Sequence, residues 1–326
     1  ILEIDKKYKK ILEEIKNVLK DNHKIVSIGY HPKTKIEKLN ILPKKRYSYM
    51  YDYFKSCSKY AHNMMKGTCS TQIIIDYKSE KDFIKKYRVA NFLAPIFYRL
   101  FDCSPIFEGE IYQKKNLRMN IWDCTDDKRC GILKESLDKK EFGFEDYANY
   151  IMNLEPIFIK NDKRLVFTKN KKVKDIENLN FNKKTIDHIL GMTFLDNRLK
   201  GYIEIRTPDA LPYPYNLSIV SIIKNIFYNK ENLDYYYDLS LDYNYEDIYK
   251  LKKELINTYD VKLKNISLEK FIKKLFEKIV NVSTKEEKKY INILKEKIEK
   301  YDSLSNWLKN IYKKNEKAFE DEISYF

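Results

Sequence analysis

Apolar positions along this chain recur at two spacings, and each spacing predicts an element. From Lys6 to Lys20 a stripe of Ile11, Leu12, Ile15, Val18 and Leu19 follows the period of a helix. Just before it, Leu2-Glu3-Ile4 reads as the tail of a strand, and Ile25 to Tyr30 as another strand that His31-Pro32 ends. Lys45 to Phe54 is expected to be helical, and Thr68 to Tyr77 to be a long strand. Ser79 then opens a helix with Asp82 in the reach-back position of a capping box. That helix runs to about Phe101 through Phe83, Ile84, Tyr87, Phe92, Ile96, Phe97 and Leu100, with a kink expected at Pro95. Leu117 to Trp122 reads as a strand, Phe144 to Leu154 as a helix, and Pro156 to Lys160 with Arg164 to Thr168 as a hairpin. A polar loop over Val173 to Asn182, a short helix over Thr185 to Met192 and a strand over Leu199 to Arg206 follow. From Tyr215 onward the pattern is almost wholly helical. The resulting expectation is an α+β fold, with a sheet-and-helix region over 1–240 and a helical region over 241–326 packed on it.

Side chains alternate faces along a strand, and three expected strands share one alternation. Gln72, Ile74 and Asp76 oppose Ile73, Ile75 and Tyr77. Arg118, Asn120 and Trp122 oppose Leu117, Met119 and Ile121, and Tyr202, Glu204 and Arg206 oppose Ile203 and Ile205. Each strand so has one face for a core and one rich in charges and amides. An ordinary solvated sheet face explains this equally well, but the polar residues are Gln, Glu, Asp, Arg and Trp rather than the abundant Lys. A concave face of carboxylates and arginines is one way to hold divalent metals and phosphates together.

Composition narrows the classes. Hydrophobic residues make up 43% of the 326 residues, enough for a sizeable core. No apolar run approaches the roughly 18 residues of a membrane helix, and the first residues carry no signal-peptide pattern. The chain is expected to be a cytoplasmic protein that begins inside a longer one. The seven glycines are Gly29, Gly67, Gly109, Gly131, Gly143, Gly191 and Gly201. A P-loop or dinucleotide fingerprint needs glycines a few residues apart, and none is so spaced, so any nucleotide must be held by side chains and metal ions. Five cysteines without a C-x-x-C pair, and four scattered histidines, suggest reduced thiols and no zinc site.

The net charge of +15 raises nucleic acid as a partner, but only eight of the 63 cations are arginine, and no continuous stripe of cations with stacking aromatics runs along the chain. The lysines read as a solvated surface. Where lysine is the default cation, a retained arginine implies that its planar fork is needed.

At these residues the sequence resembles the glutamate–cysteine ligase family, particularly its plant-type branch. Ile28-Gly29-Tyr30-His31-Pro32 resembles I-G-F-x-P, and Pro43 to Tyr47 with Met50 and Tyr53 resembles P-K-G-R-Y-x-x-M-x-x-Y. Thr68 to Gln72 with Asp76 resembles T-C-T-V-Q-V-N-L-D, and Ser104-Pro105 with Glu108-Gly109 resembles S-P-x-x-E-G. Arg118 to Trp122 resembles R-S-x-I-W, and Asp126 to Gly131 resembles D-x-D-R-x-G. Phe142 to Tyr147 matches F-G-F-E-x-Y, and Tyr202 to Arg206 with Asp209 matches Y-x-E-x-R-x-x-D. The order is collinear to about residue 240.

The resemblance implies a curved antiparallel sheet, a funnel backed by helices and related to glutamine synthetase. It implies an ATP-dependent ligase of glutathione biosynthesis, in which the γ-carboxylate of glutamate is phosphorylated and the α-amine of cysteine attacks the acyl phosphate, with Mg2+ bridging phosphate oxygens. On this likeness Glu3, Gln72 and Glu204 fall on metal-ligand positions. Arg206 falls on the arginine that contacts the transferring phosphoryl group, and Arg46 and Arg118 on arginines of the glutamate and phosphate pocket. Trp122, Arg129 and Asp209 are further substrate-binding candidates. A surface ion pair for Glu204 and Arg206, or a helix-start salt bridge for Arg46, would account for the same residues. His31, His188 and Cys69 read as structural. Ile74, Met119 and Thr207-Pro208 depart from the family's Asn, Ser and Gly-Ala, which leaves a γ-glutamyl ligase for a different amine open. The family's E-x-E strand has no counterpart before Glu3, so this stretch by itself is expected to bind ATP–magnesium weakly.

Overall fold

The computed structural model describes residues 1–19, 23–161, 164–168 and 170–325. The chain opens with helix α1 (Leu2–Val18), then α2 (Lys45–Lys55) and α3 (Ala61–Gly67), strand β1 (Ile73–Ile75) and the long helix α4 (Glu80–Leu100). The hairpin β2 (Ile106–Phe107) and β3 (Glu110–Ile111) leads to α5 (Leu117–Asp123), β4 (Cys130–Gly131), α6 (Glu135–Asp138) and α7 (Phe144–Asn153). A second hairpin, β5 (Phe158–Asn161) and β6 (Arg164–Phe167), precedes α8 (Lys183–Leu190) and the strands β7 (Phe194–Leu195), β8 (Asn197–Leu199) and β9 (Ile203–Ile205). Helices α9 (Tyr215–Phe227), α10 (Lys230–Ser240) and α11 (Tyr245–Glu254), the short pair β10 (Lys262–Leu263) and β11 (Ile266–Ser267), and helices α12 (Leu268–Val282), α13 (Lys285–Tyr301), α14 (Leu304–Lys314) and α15 (Glu316–Ile323) complete it. The fold mixes helix and sheet. Its sheets are small and open, the largest among the described residues being the antiparallel β1-β9-β8.

Helix α4 is the spine. Ser79 Oγ accepts from Asp82 N at 3.2 Å, and the Asp82 carboxylate reaches back to Lys78 N at 2.9 Å, so the expected start is realised one residue wider than a strict capping box. From Phe83 on, α4 is buried on nearly every side, because α10 covers one flank and the sheet the other. Arg88 fastens these parts, donating to Ser240 Oγ and O, Tyr243 O and Leu137 O at 2.8–3.0 Å. The main core draws on α4, β1, β9 and the helices from α9 to α15, and so contains residues from both sides of residue 240. A second core gathers Tyr30, Met50, Phe54, Met64, Leu117, Ile121 and Phe158.

Several sequence expectations are corrected. Leu2-Glu3-Ile4 is not a strand but the first turn of α1, where Glu3 and Asp5 pair with Lys7 and Lys9 one helical turn on. Leu117 to Trp122 is also helical. Its alternation of apolar and polar residues mimics a strand because α5 lies between the two cores: Leu117 and Ile121, four apart, face the second, and Met119 faces the first. Ile25 to Tyr30 forms no strand but has, among the described residues, the isolated bridges Val26 to Ser324 and Tyr30 to Thr68, and the long strand expected over Thr68 to Tyr77 shrinks to β1. The polar stretch after Lys172 contains a single 3-10 turn, Val173–Asp175, anchored by buried Val173. The hairpin, α4, α7 and the helical C-terminal region stand where the pattern placed them.

Gly29 lies where the chain crosses Asp209. A Cβ there would stand 2.2 Å from Asp209 Oδ2 and 2.4 Å from its Cγ. The Asp209 side chain cannot yield, since Cys103 N and Ser104 Oγ hold the same oxygen at 2.8 and 2.9 Å. Gly29→Ala is therefore expected to destabilise the fold by about 2 kcal/mol or more, read as a lowered urea midpoint at unchanged slope. An unchanged midpoint would show that this crossing is loose.

Candidate functional site

The register of the sheet builds the site. Across β1-β9-β8, Ile74 lies opposite Glu204 and Glu204 opposite Arg198, while Ile73, Ile205 and Asn197 form the next row. Ile75, Ile203 and Ile205 are buried in the main core. The alternation along β1 and β9 thus holds: one face is core, and the other carries Gln72, Ile74, Glu204 and Arg206.

On that second face Glu204 is held by two guanidiniums. Its Oε2 accepts from Arg198 Nε at 2.7 Å and Nη2 at 2.6 Å, and from Arg206 Nη1 at 3.2 Å. With its amide turned so that each atom meets a complementary partner, Gln72 donates to Glu204 Oε1 and accepts from Arg206 Nη1, both at 3.1 Å. The Arg206 guanidinium stands over the Trp122 ring at 5.7 Å. Glu204 and Arg206 are 7% and 9% exposed, whereas Gln72 and Ile74 open to solvent, so the cluster is reached from one side. Burial alone would raise the Glu204 carboxyl, but Arg198 and Arg206 overcome it and hold it below the usual glutamate range. Burial pulls the Arg206 guanidinium down, aided by Arg198 and opposed by Glu204. Burial and the same two guanidiniums also lower Lys200, in the turn between β8 and β9. Two guanidiniums against one carboxylate leave a positive excess at a dry surface, which suits a carboxylate or phosphate ligand.

Behind this cluster Arg118 acts on the backbone. It donates to Arg206 O at 2.7 Å, Thr207 O at 3.0 Å and Asp209 Oδ1 at 3.3 Å, and is 3% exposed. It thereby fixes the segment that leaves β9. Burial, helped by the charge of Asp102, pushes the Asp209 carboxyl up to about 6 against the pull of Arg118. Three in-plane bonds need a fork, so Arg118→Lys is expected to lower stability nearly as much as Arg118→Ala, each by about 3 kcal/mol. Thermal unfolding of both variants checks this, and recovery of wild-type stability by lysine would refute the fork requirement.

The other candidates are placed elsewhere. Arg129 is 1% exposed and engaged with Asp126, the Tyr53 hydroxyl and the Glu155 carbonyl. Arg46 is exposed on α2 with its guanidinium 5.0 Å over Tyr47. Glu3 is exposed on α1 and paired with Lys7 at 2.7 Å, so it shares no partner with Gln72 and Glu204. The expected metal trio is therefore not assembled. Among the described residues no three acidic, imidazole or thiol groups converge on a possible ion position. A carboxylate already neutralised by two arginines is a poor magnesium ligand, so the residues present do not fit a magnesium cage.

Two residues were not singled out in the sequence. Arg198 is the closest partner of Glu204, and arginine scarcity is the signal that could have found it. Asp196 accepts from Arg206 N through its carbonyl at 2.9 Å. Its carboxylate takes Lys252 Nζ and the Tyr98 hydroxyl at 2.7 and 2.8 Å, which anchors the strand ends from below.

The chain is thus a mixed α and β protein whose small sheet carries, on the face away from the core, an arginine–carboxylate–arginine cluster. The chain belongs to the Glutamate-cysteine ligase family 2 (GCS2), whose profile matches residues 1–318. It is 28% identical over 270 residues to the rice protein named glutamate–cysteine ligase B, chloroplastic, covering 79% of this chain and 53% of the relative. It is 30% identical over 234 residues to the Arabidopsis thaliana glutamate–cysteine ligase, chloroplastic, covering 67% of this chain and 43% of that one. The chain spans about half the length of the curated relatives it matches.

Proposed function

We propose that this chain carries the phosphate- and glutamate-facing part of a ligase that joins the γ-carboxylate of glutamate to the α-amine of cysteine, with ATP supplying the phosphoryl group of a γ-glutamyl phosphate. The Arg198-Glu204-Arg206 row with Gln72 is the observation that carries the reading, and family membership supports it. In this reading the Arg206 fork meets the transferring phosphoryl group, Glu204 aims the two guanidiniums, and Trp122 shields Arg206 from water. Arg118 and Asp209 are positioning residues, because Arg118 Nη1 and Nη2 hold the Arg206 and Thr207 carbonyls and Asp209, and Asp209 in turn holds Cys103 N and the Ser104 hydroxyl. The three short strands would be part of the curved sheet of the whole enzyme. Acyl transfer through a mixed anhydride demands charge stabilisation more than proton transfer, which agrees with a site built of fixed charges. We derive no step through magnesium, since this donor set does not hold it. The reading requires neither nucleic acid nor a membrane; the cytoplasm is our proposed location, whereas the relatives are named chloroplastic. Among the described residues no helix is long and apolar enough to cross a membrane.

The amine is the open half of the reading. Of the positions that depart from the family, Met119 and Thr207 are 1% and 0% exposed, so neither side chain opens to solvent at the cluster. Ile74 is 56% exposed directly opposite Glu204 and is the departure that faces the site, which keeps a γ-glutamyl ligase for a less polar amine as the second reading. The experiment is incubation with ATP and glutamate against cysteine and a panel of other amines, with phosphate release and mass-spectrometric detection of the γ-glutamyl amide. Glutamate-dependent phosphate release that is fastest with cysteine is expected. Faster ligation of an apolar amine would select the second reading, and phosphate release indifferent to glutamate would overturn both.

A further inference from the structure

Lysine is spread over the whole chain, but at one place it converges. Where the loop after β3 meets the end of α13 and the exposed side of α14, a cleft of about 440 Å3 is lined by Lys115, Lys300, Lys309 and Lys313, with Asp302 as its one carboxylate. None of the four ammoniums forms an ion pair with a carboxylate among the described residues. The carboxylates nearest Lys300 and Lys313 in sequence are engaged elsewhere, Glu299 with Lys295 at 3.7 Å and Glu316 with Lys33 at 3.6 Å. Asp302 is exposed, and its charge also acts on the buried Arg99. The cleft is therefore strongly positive, and its cations are within reach of a ligand: Lys300 and Lys313 are exposed and Lys115 is half-buried.

Lys309 sets this cleft apart from a solvated lysine surface. A lysine stem is long and flexible enough to carry its ammonium out to water, yet Lys309 is 9% exposed and turned inward, where its Nζ donates to the Lys114 carbonyl at 2.9 Å. That is one acceptor for an ammonium with three N–H groups. Burial pulls this ammonium below the ordinary lysine range, Asp102 opposes the pull, and Lys115 and Lys313 add to it. Lys115 is likewise fixed, donating to Asn306 Oδ1 at 2.9 Å. Two anchored ammoniums and two mobile ones thus share a concave wall, which focuses their field on the space between them.

The chemistry of the wall selects the ligand. Ile111 is its one aliphatic side chain, so no apolar body is recognised. Four like charges call for a multivalent anion. Lysines act as point charges rather than planar forks, which suits charge spread over the many oxygens of a phosphate chain. We propose that this cleft binds a small multivalent phosphate, a di- or triphosphate chain that is free or carried by a nucleotide, at a site that shares no lining residue with the Glu204–Arg206 cluster.

Tripolyphosphate is the probe, titrated calorimetrically into the 326-residue chain without divalent metal and at about 0.15 M salt, with inorganic phosphate as the single-phosphate anion and UTP as the nucleotide. Tripolyphosphate is expected to bind with a Kd below about 0.1 mM and at least about tenfold more tightly than inorganic phosphate. Lys300→Gln with Lys313→Gln, both at exposed positions, should leave the fold intact and weaken tripolyphosphate by about tenfold or more, the loss of two charge contacts. Lys309→Met should weaken it comparably. Lys285→Gln with Lys289→Gln removes the same charge from the opposite end of α13 and should change the affinity by less than about twofold. UTP that binds no better than tripolyphosphate assigns the site to the phosphate chain itself, and UTP that binds more tightly and is weakened by the same variants assigns it to a nucleotide; both uphold the proposal. Failure of the wild type to bind, equal affinity for phosphate and tripolyphosphate, or equal weakening by the two double variants would each overturn it in favour of diffuse attraction to a basic chain. None of these readouts uses ligation, so the proposal fails or stands independently of the ligase reading.

Discussion

Lys252→Met is expected to destabilise the protein by about 3–5 kcal/mol, the cost of removing one partner from a buried ion cluster. Lys252 is 1% exposed, and its Nζ lies 2.7 Å from both Asp123 Oδ1 and Asp196 Oδ2. Burial works against its charge, and the two carboxylates outweigh burial and hold the ammonium well above its ordinary range. Methionine fills the same space but leaves Asp123 and Asp196 facing each other without a cation between them. Lys253 still meets Asp123 Oδ2 at 3.1 Å, so Asp196 is the more stranded of the two. Adding Asp196→Asn to Lys252→Met should restore part of the loss, and urea unfolding of the single and double variants measures it. A single variant within about 1 kcal/mol of wild type would mean that the cluster contributes little beyond packing. Because Asp196 also binds Arg206 N, the single variant should loosen the candidate site as well.

On the proposed reading, Glu204→Gln should lower ligation per folded molecule by about 100-fold or more, the scale of losing a pre-aimed charge at a reacting anion. The side chain keeps its shape, but Arg198 and Arg206 become two like charges at a nearly dry surface with no carboxylate between them. The variant should stay folded, at a cost of about 3 kcal/mol. That cost depends on pH. The folded Glu204 carboxyl lies below its ordinary value of 4.5, so its stabilisation is fully present above 4.5 and is lost as pH falls through the lower folded value. The stability gap between wild type and variant is therefore expected to be widest at neutral pH and to close in acid. Wild-type turnover by Glu204→Gln would remove the residue from the site, and a gap that widens in acid would contradict the ion-pair account.

What the sequence determined by itself was local. The alternation of Ile203, Glu204, Ile205 and Arg206 assigned one face to the core and one to charged groups, because a strand turns successive side chains to opposite sides whatever lies beside it. Ser79 and Asp82 marked the start of α4, and the stripes after Tyr215 marked the C-terminal helices, because caps and helical periodicity are written within a few residues. The family resemblance, with arginine scarcity in agreement, pointed to Arg206 and Arg118. The tertiary structure decided everything that depends on a neighbour. Alternation alone could not tell a strand from a helix held between two cores, so Leu117 to Trp122 took the other form. Glu3 went to a solvated helix, because a three-residue apolar run specifies no partner. Arg198 became the closest counter-ion of Glu204 only through the register of β8 on β9, and Lys252 met Asp123 and Asp196 only when α11 packed against them. A buried charge is determined by what surrounds it in three dimensions, and the order of residues along the chain does not contain that until the chain has folded.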